Sequence, residues 1–175
     1  KAAWADIALD GAEWRFTVTK TDTPHIVPLA TQAVAILREL QALTGHGHYV
    51  FPGARSRERP MSENAVLAAL RSLGIGKDEM SGHGFRAMAS TLLNESGKWS
   101  YDAIERALAH GDNNRVRAAY HRGAHWDERV AMAQWWSDYL DELRAGSGAG
   151  ARVCDSRRVR PLGPTGGDVQ RHGGD

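Results

Sequence analysis

The sequence is poor in the features that stabilise secreted and membrane proteins. It has one cysteine in 175 residues, Cys154, and no run of the roughly 20 apolar residues that a membrane-spanning helix needs. A single cysteine cannot form an internal disulfide, and it has no second thiol with which to build a cysteine zinc site. The first residues also lack the basic and then apolar pattern of a signal peptide. These absences exclude a disulfide scaffold and predict a cytoplasmic protein.

Lysine is scarce as well, with 4 lysines against 18 arginines and a net charge of +1. A polyanionic partner would therefore be bound by a local basic surface and not by the overall charge. Arginine suits bidentate contacts with phosphate, although the base composition of a genome can produce the same bias. Arg115, Arg117 and Arg122 surround Tyr120 and are the residues predicted to bind such a polyanion, with a solvated helix face as the alternative.

The hydrophobic pattern predicts an α+β, mainly α fold over residues 1–144. Residues 4–28 contain three short strand patterns, WADIALD, EWRFTVT and HIVPL, separated by turns at Gly11 and at residues 21–24. We expect a small antiparallel three-stranded sheet packed on a helical bundle. The segment 145–175 has 8 glycines and almost no apolar periodicity, so a disordered tail is predicted there.

Six helical segments are predicted from apolar periodicity and capping residues, one of them a short piece from Arg115 to Tyr120. Thr31 and Ser62 are the expected N-caps of the first and second helices, and Gly97 the expected stop of the third. The predicted inward stripe of the third helix is Phe85, Met88, Ala89 and Leu92, and that of the last helix, about 126–144, is Trp126, Val130, Ala133, Trp136, Leu140 and Leu143. At least one ring of the Trp135–Trp136 pair is expected in the core.

Reactive side chains follow one another in an order typical of attack on a phosphodiester. His83 and Arg86 are three residues apart at a helix start, where backbone N–H groups favour an anion. Tyr120 has an unperturbed pKa near ~10, so as a nucleophile it needs the help of nearby cations. His110 follows a helix end, and Lys20 ends the second strand; either could move a proton. Each residue alone has an ordinary structural explanation, such as a capping histidine or a surface lysine.

His121 and His125 have the spacing of a helical metal site. No third ligand lies nearby in the sequence, and Gly123 between them disfavours a rigid helical pair. No metal site is predicted.

Five segments in order resemble the catalytic domain of tyrosine recombinases of the phage and genomic-island integrase type. They are WADIALDGAEWRF, TKTDTPHIVPLATQAV, HGFRAMASTLLNESG, DAIERALAHGDNNRVRAAYHR and ERVAMAQWWSDYLDEL, and the resemblance covers about residues 4–143. It implies site-specific recombination of double-stranded DNA, by a homo-tetramer on DNA, in a bacterial cytoplasm next to the nucleoid.

The resemblance also implies a role for each reactive residue. Tyr120 would be the nucleophile that joins to a DNA 3′ phosphate and frees a 5′ hydroxyl. Arg86 would clamp the scissile phosphate, with His83 as the histidine of the same motif. His110 would bond the phosphate, and Lys20 would protonate the leaving 5′ oxygen. No metal or nucleotide cofactor is implied, since cationic side chains stabilise the transition state.

The first arginine of the family pattern would lie a few positions before Lys1. We therefore expect a catalytic domain that lacks its first helices, with little or no recombination by this fragment, because loss of one charge stabiliser typically costs about 10² to 10³ in rate. The alternatives are a noncatalytic DNA-binding or assembly fragment and a type IB topoisomerase. The PHIVPL and LAH segments favour the integrase interpretation.

Overall fold

A computed structural model describes residues 1–19, 22–109 and 125–146 of the chain. Within these ranges it contains five α-helices, one short 3-10 helix and one three-stranded sheet near the N-terminus. The predicted class, α+β and mainly α, is confirmed. Residues 147–175, where we predicted a disordered tail, lie outside the described part.

The sheet is antiparallel with the strands in sequence order. Its members are β1 (Ile7–Ala8), β2 (Glu13–Val18) and β3 (Thr23–Pro28). The prediction was wrong at two places: Trp4–Asp6 forms a 3-10 helix, and Pro24 lies in β3 opposite Thr17 and not in a turn. A proline is tolerated there because β3 is an edge strand, which has one side free of ladder hydrogen bonds.

One face of the sheet carries aromatic rings. Trp14 and Phe16 are two residues apart on β2 and therefore share that face, with ring centroids 4.4 Å apart. His25 lies directly opposite Phe16, and their rings meet edge to face at 5.4 Å. The strand register therefore places His25 among aromatic side chains.

The helices are close to their predicted positions. They are α1 (Thr31–Thr44), α2 (Ala65–Ser72), α3 (Gly82–Glu95), α4 (Tyr101–Ala107) and α5 (Trp126–Arg144). Gly97, two residues beyond α3, has φ of +62°, the left-handed conformation expected of a helix stop. None of the helices in the described ranges has both the length and the apolar character to cross a bilayer.

Two helix caps differ from the prediction. The N-cap of α1 is Ala30, and the free N–H of Thr31 donates instead to Oε1 of Gln134 in α5 at 3.0 Å. The N-cap of α2 is Asn64, and Ser62 accepts the Ala65 N–H through its backbone carbonyl at 2.9 Å. The cap of α1 thus comes from a residue distant in sequence, which local patterns cannot reveal.

The core lies where α3, α4 and α5 meet. Its buried members are Leu93, Ile104 and Met132, and Trp135 and Trp136 pack against them. The expectation that the tryptophan pair contributes to the core is confirmed.

The predicted inward stripes of α3 and α5 were rotated from the observed ones. Phe85 and Val130 are each 43% exposed, whereas Leu93 and Met132 are buried. The buried face of α5 includes Arg129, one turn before Met132, although its side chain is charged.

Helix α5 contacts β3, α1 and α4. Its contact with α4 is polar: Glu128 accepts hydrogen bonds from the N–H and hydroxyl groups of Ser100 at 2.6 and 2.9 Å. Chiefly the bond from the Ser100 backbone holds the pKa of the Glu128 carboxyl below its ordinary value. Ser100 is itself the N-cap of α4, so α5 fixes the position of that helix.

Candidate active site

The motif HGFR forms the first turns of α3. Ser81 caps the helix, and its hydroxyl oxygen accepts the N–H of Gly84 at 3.1 Å. His83 is exposed on the first turn, and Arg86 is half-buried one turn later. The predicted helix start is therefore confirmed, but the two side chains differ in their surroundings.

Arg86 reaches from α3 to the end of α4. Its Nη2 donates a hydrogen bond to the backbone carbonyl of Leu108, the C-cap of that helix. A helix C-terminus carries partial negative charge and unsatisfied carbonyls, so it is a favourable place for a guanidinium. The bond restricts Arg86 while leaving its other N–H groups available for a second partner.

Arg129 approaches the same region from α5. It is 4% exposed, and its Nη2 donates to the carbonyl of Ile26 in β3. Its guanidinium also lies over the ring of Trp126, 5.6 Å from the centroid. Arg129 thereby joins the last helix to the edge strand.

His25 lies within the electric field of both arginines. Burial, then the charge of Arg129 and then that of Arg86 lower its pKa from 6.5 to about 4, so the ring is neutral at pH 7. Burial, followed by the charge of Arg106, also lowers the pKa of Arg129. We call His25, Arg86 and Arg129 the junction cluster, because β3, α3 and α5 each supply one member.

No carboxylate neutralises the junction cluster within the described ranges. The ion pairs found there join Arg15 to Glu13, Arg38 to Asp10 and His125 to Glu128. The cluster therefore has an excess of positive charge, which favours an anionic ligand.

The structure describes only part of the predicted site. Arg86 belongs to the junction cluster, and His83 lies one turn away on the surface of α3. The other predicted residues lie outside the described ranges: Lys20, His110, Tyr120, Arg115, Arg117 and Arg122.

Of the two histidines with metal-site spacing, His121 lies outside the described ranges. His125 does lie within them, and its Nδ1 is 2.9 Å from Oε2 of Glu128. The described residues include no group of three or more side chains suited to hold a metal ion.

Comparison with known proteins identifies the family. A model described as the phage integrase family matches residues 1–125. The chain belongs to the phage integrase family. Its similarity to the integrase of Enterobacteria phage P4 is 48% identity over 138 residues, which cover 78% of this chain and 31% of that protein.

Two proteins of Escherichia coli K12 are also similar. The putative protein IntB is 42% identical over 159 residues, covering 82% of this chain and 40% of that protein. The prophage integrase IntA is 40% identical over 149 residues, covering 84% and 36% respectively. The chain thus spans about a third of the length of these integrase-family relatives. No solved structure matches it.

The sequence patterns did not single out His25 and Arg129 as site residues in this member of the phage integrase family. His25 entered the analysis only as part of the PHIVPL segment, and Arg129 is one charged residue in a helix that has many. The sequence shows only that His25 lies in a strand pattern; the register observed in the structure sets it opposite Phe16, so that a polar ring lies on an aromatic face. Burial of Arg129 depends on a carbonyl about 100 residues away, for which the sequence gives no local signal.

Proposed function

We propose that this chain is part of an enzyme that performs site-specific DNA recombination through a 3′-phosphotyrosyl intermediate. The observation that carries the proposal is the position of Arg86, which is held by a helix end and takes part in none of the ion pairs of the described ranges. The integrase names of the relatives support recombination over the topoisomerase alternative.

In the proposed reaction the Tyr120 phenol gives its proton to water, and its oxygen attacks the scissile phosphorus. The bond from phosphorus to the 5′ oxygen breaks, and Lys20 donates a proton to that oxygen. Rejoining reverses these steps with a different 5′ hydroxyl. Because one phosphoester replaces another, no nucleotide cofactor needs to supply energy.

Arg86 would clamp two nonbridging oxygens of the phosphate through the N–H groups that Leu108 leaves available. A guanidinium fixed before the substrate arrives stabilises the charge that develops in the transition state without reorganising. His83 and His110 would donate further hydrogen bonds to the same phosphate. Arg115, Arg117 and Arg122 would bind neighbouring DNA phosphates.

The test is covalent trapping of DNA. A version of the chain extended upstream, to include the first arginine of the family pattern, is incubated with a nicked suicide substrate of its attachment site. We expect an adduct that survives denaturing electrophoresis, and Tyr120→Phe should abolish it. Tyr101→Phe is the matched control, since Tyr101 is a tyrosine 66% exposed at the start of α4. Adduct formation by Tyr120→Phe would show that the nucleophile is assigned wrongly.

One observation favours a second function, that of an assembly fragment. Val130, Leu140 and Leu143 on α5 are 43%, 41% and 50% exposed, and such apolar surface is suited to contact with a neighbouring subunit. The extended chain distinguishes the two functions. If it binds attachment-site DNA as an oligomer and never forms the adduct, the noncatalytic interpretation is correct.

A further inference from the structure

Two buried nitrogen atoms of the junction cluster lack hydrogen-bond partners. They are Nε of Arg129 and Nε2 of His25, and neither has a partner among the described residues. Buried polar groups in folded proteins are nearly always bonded, because leaving a donor unsatisfied forfeits its hydration. Both atoms therefore point to a partner beyond the described residues, and a bound ligand is the simplest one.

The charges of the cluster identify the class of that ligand. A guanidinium has donors and no acceptor, so Arg86 and Arg129 cannot bond to one another or to a metal ion. Buried charges in proteins are usually paired, and none of the ion pairs in the described ranges includes Arg86 or Arg129. The Nε–H of Arg129 can only donate, and Nε2 of His25 donates in its Nε2–H tautomer. The missing partner is consequently an anion that can accept several hydrogen bonds at once.

The cluster also has an open and a closed side. Arg86 is half-buried and so reaches solvent, whereas Arg129 is 96% buried, having 4% exposure. Its bond to the Ile26 carbonyl fixes Arg129 in place before any ligand binds. An anion entering beside Arg86 would meet donors that are already oriented, which suits the planar, bidentate geometry of arginine with a phosphate.

We propose that His25, Arg86 and Arg129 form one phosphate-binding site, in which Arg129 and His25 extend the clamp that Arg86 provides for the scissile phosphodiester. That the bound phosphate belongs to DNA rests on the proposed function. That the site binds a tetrahedral phosphate rests on the cluster alone. Arg129 then contributes a second guanidinium to the reaction, from the helix that follows Tyr120 in the chain.

The first experiment tests the site without any enzymatic activity. Thermal unfolding of the 175-residue chain is measured against inorganic phosphate, with chloride at equal ionic strength as the reference. Wild type should show a saturating rise in melting temperature, because phosphate binds the folded state. Arg129→Met should weaken the apparent phosphate affinity roughly tenfold or more. Arg144→Met is the matched control, an exposed arginine on the same helix, and should bind like wild type.

A variant that keeps the positive charge controls for the possibility that Arg129→Met does not fold. Arg129→Lys retains a cation and removes the planar fork, so it should fold and bind phosphate with intermediate affinity. If Arg129→Lys and Arg129→Met both unfold cooperatively and bind phosphate as wild type does, the site is wrongly assigned. If Arg129→Met does not fold, the phosphate affinities of Arg129→Lys and His25→Gln are compared with that of wild type. Equal affinities would again show that the site is wrongly assigned.

The second experiment separates DNA from free phosphate as the source of the ligand. Duplex DNA should compete with inorganic phosphate for the wild-type site, and continued phosphate binding at saturating DNA would overturn the DNA assignment. In the extended chain, Arg129→Met should slow adduct formation about 10²-fold at saturating DNA, with a smaller change in DNA affinity. If wild type forms the adduct and Arg129→Met forms it at the same rate, this inference is wrong and the proposed function is unaffected. Absence of any adduct in wild type would defeat the proposed function, while the phosphate result would still stand.

Discussion

The arginines of the junction cluster and those of the outer surface have opposite surroundings. Arg15 and Arg38 lie on β2 and α1 with side chains 64% and 60% exposed, and each pairs with a carboxylate. Arg86 and Arg129 are half-buried and buried, and each bonds to a backbone carbonyl. The surface arginines are paired with carboxylates of the protein, whereas no ion pair of the described ranges includes those of the cluster.

This difference explains why the count of basic residues says little about where a phosphate binds. Exposed ion pairs are screened by water and salt, so they add little to stability or to the local potential. A guanidinium removed from water and bonded to a neutral carbonyl keeps its field. Three variants, taken from the largest expected effect to the smallest, test this contrast.

Replacing Arg86 should have the largest effect. We expect Arg86→Ala to slow adduct formation in the extended chain by about 10² to 10³, because a preorganised stabiliser of transition-state charge is lost. Arg38→Ala, with the side chain of a surface arginine removed, is the control. Rates are compared at saturating DNA and at a temperature well below the melting point of both variants. Equal rates of adduct formation for Arg86→Ala and Arg38→Ala would show that the cluster and surface arginines do not differ in function.

His25 reports the positive field of the cluster through the pH dependence of folding. Its folded pKa of about 4 lies below its ordinary 6.5, so the unfolded chain binds more protons between these values. Stability is therefore complete above pH 6.5 and is lost as the pH falls toward 4, by roughly 2 kcal/mol after allowance for partial exposure.

Urea unfolding of wild type and His25→Gln between pH 4.5 and 7.5 measures this loss. The difference in unfolding free energy between the two proteins should grow as the pH rises through this window. Glu128, whose pKa is also lowered, acts mainly below pH 4.5 and so leaves the comparison clear. Parallel profiles would mean that the cluster exerts no field on His25.

The surface pair of Arg38 and Asp10 should have the smallest effect. The Asp10 side chain is fully exposed, and its Oδ1 lies 3.1 Å from Nη2 of Arg38. We expect Arg38→Ala to change the unfolding free energy by less than about 1 kcal/mol, and salt to reduce even that. A double-mutant cycle with Asp10→Ala isolates the pair. A coupling energy well above this value would show that exposed pairs contribute more here than the comparison allows.

The sequence predicted the order of strands and helices well, because local periodicity and turn residues determine them. The bounds of α5 and the stop at Gly97 are examples. It predicted poorly what depends on distant partners. Burial of Arg129 requires the Ile26 carbonyl, and the inward face of α5 turns with it. For the candidate site, Arg86 was recognised from its motif, but His25 and Arg129 become site residues only when three separate elements are folded together.

The hydrogen bond from Thr31 to Gln134 has a consequence for synthesis of the protein. The N-terminus of α1 obtains this acceptor from a residue 103 positions later, so the ribosome must make and release most of the chain before the bond can form. Contacts of such long sequence separation form late and slow folding. A nascent chain that stops before α5 would expose α1 without this partner, and chaperones would meet the sheet and α1 before the last helix can cover them.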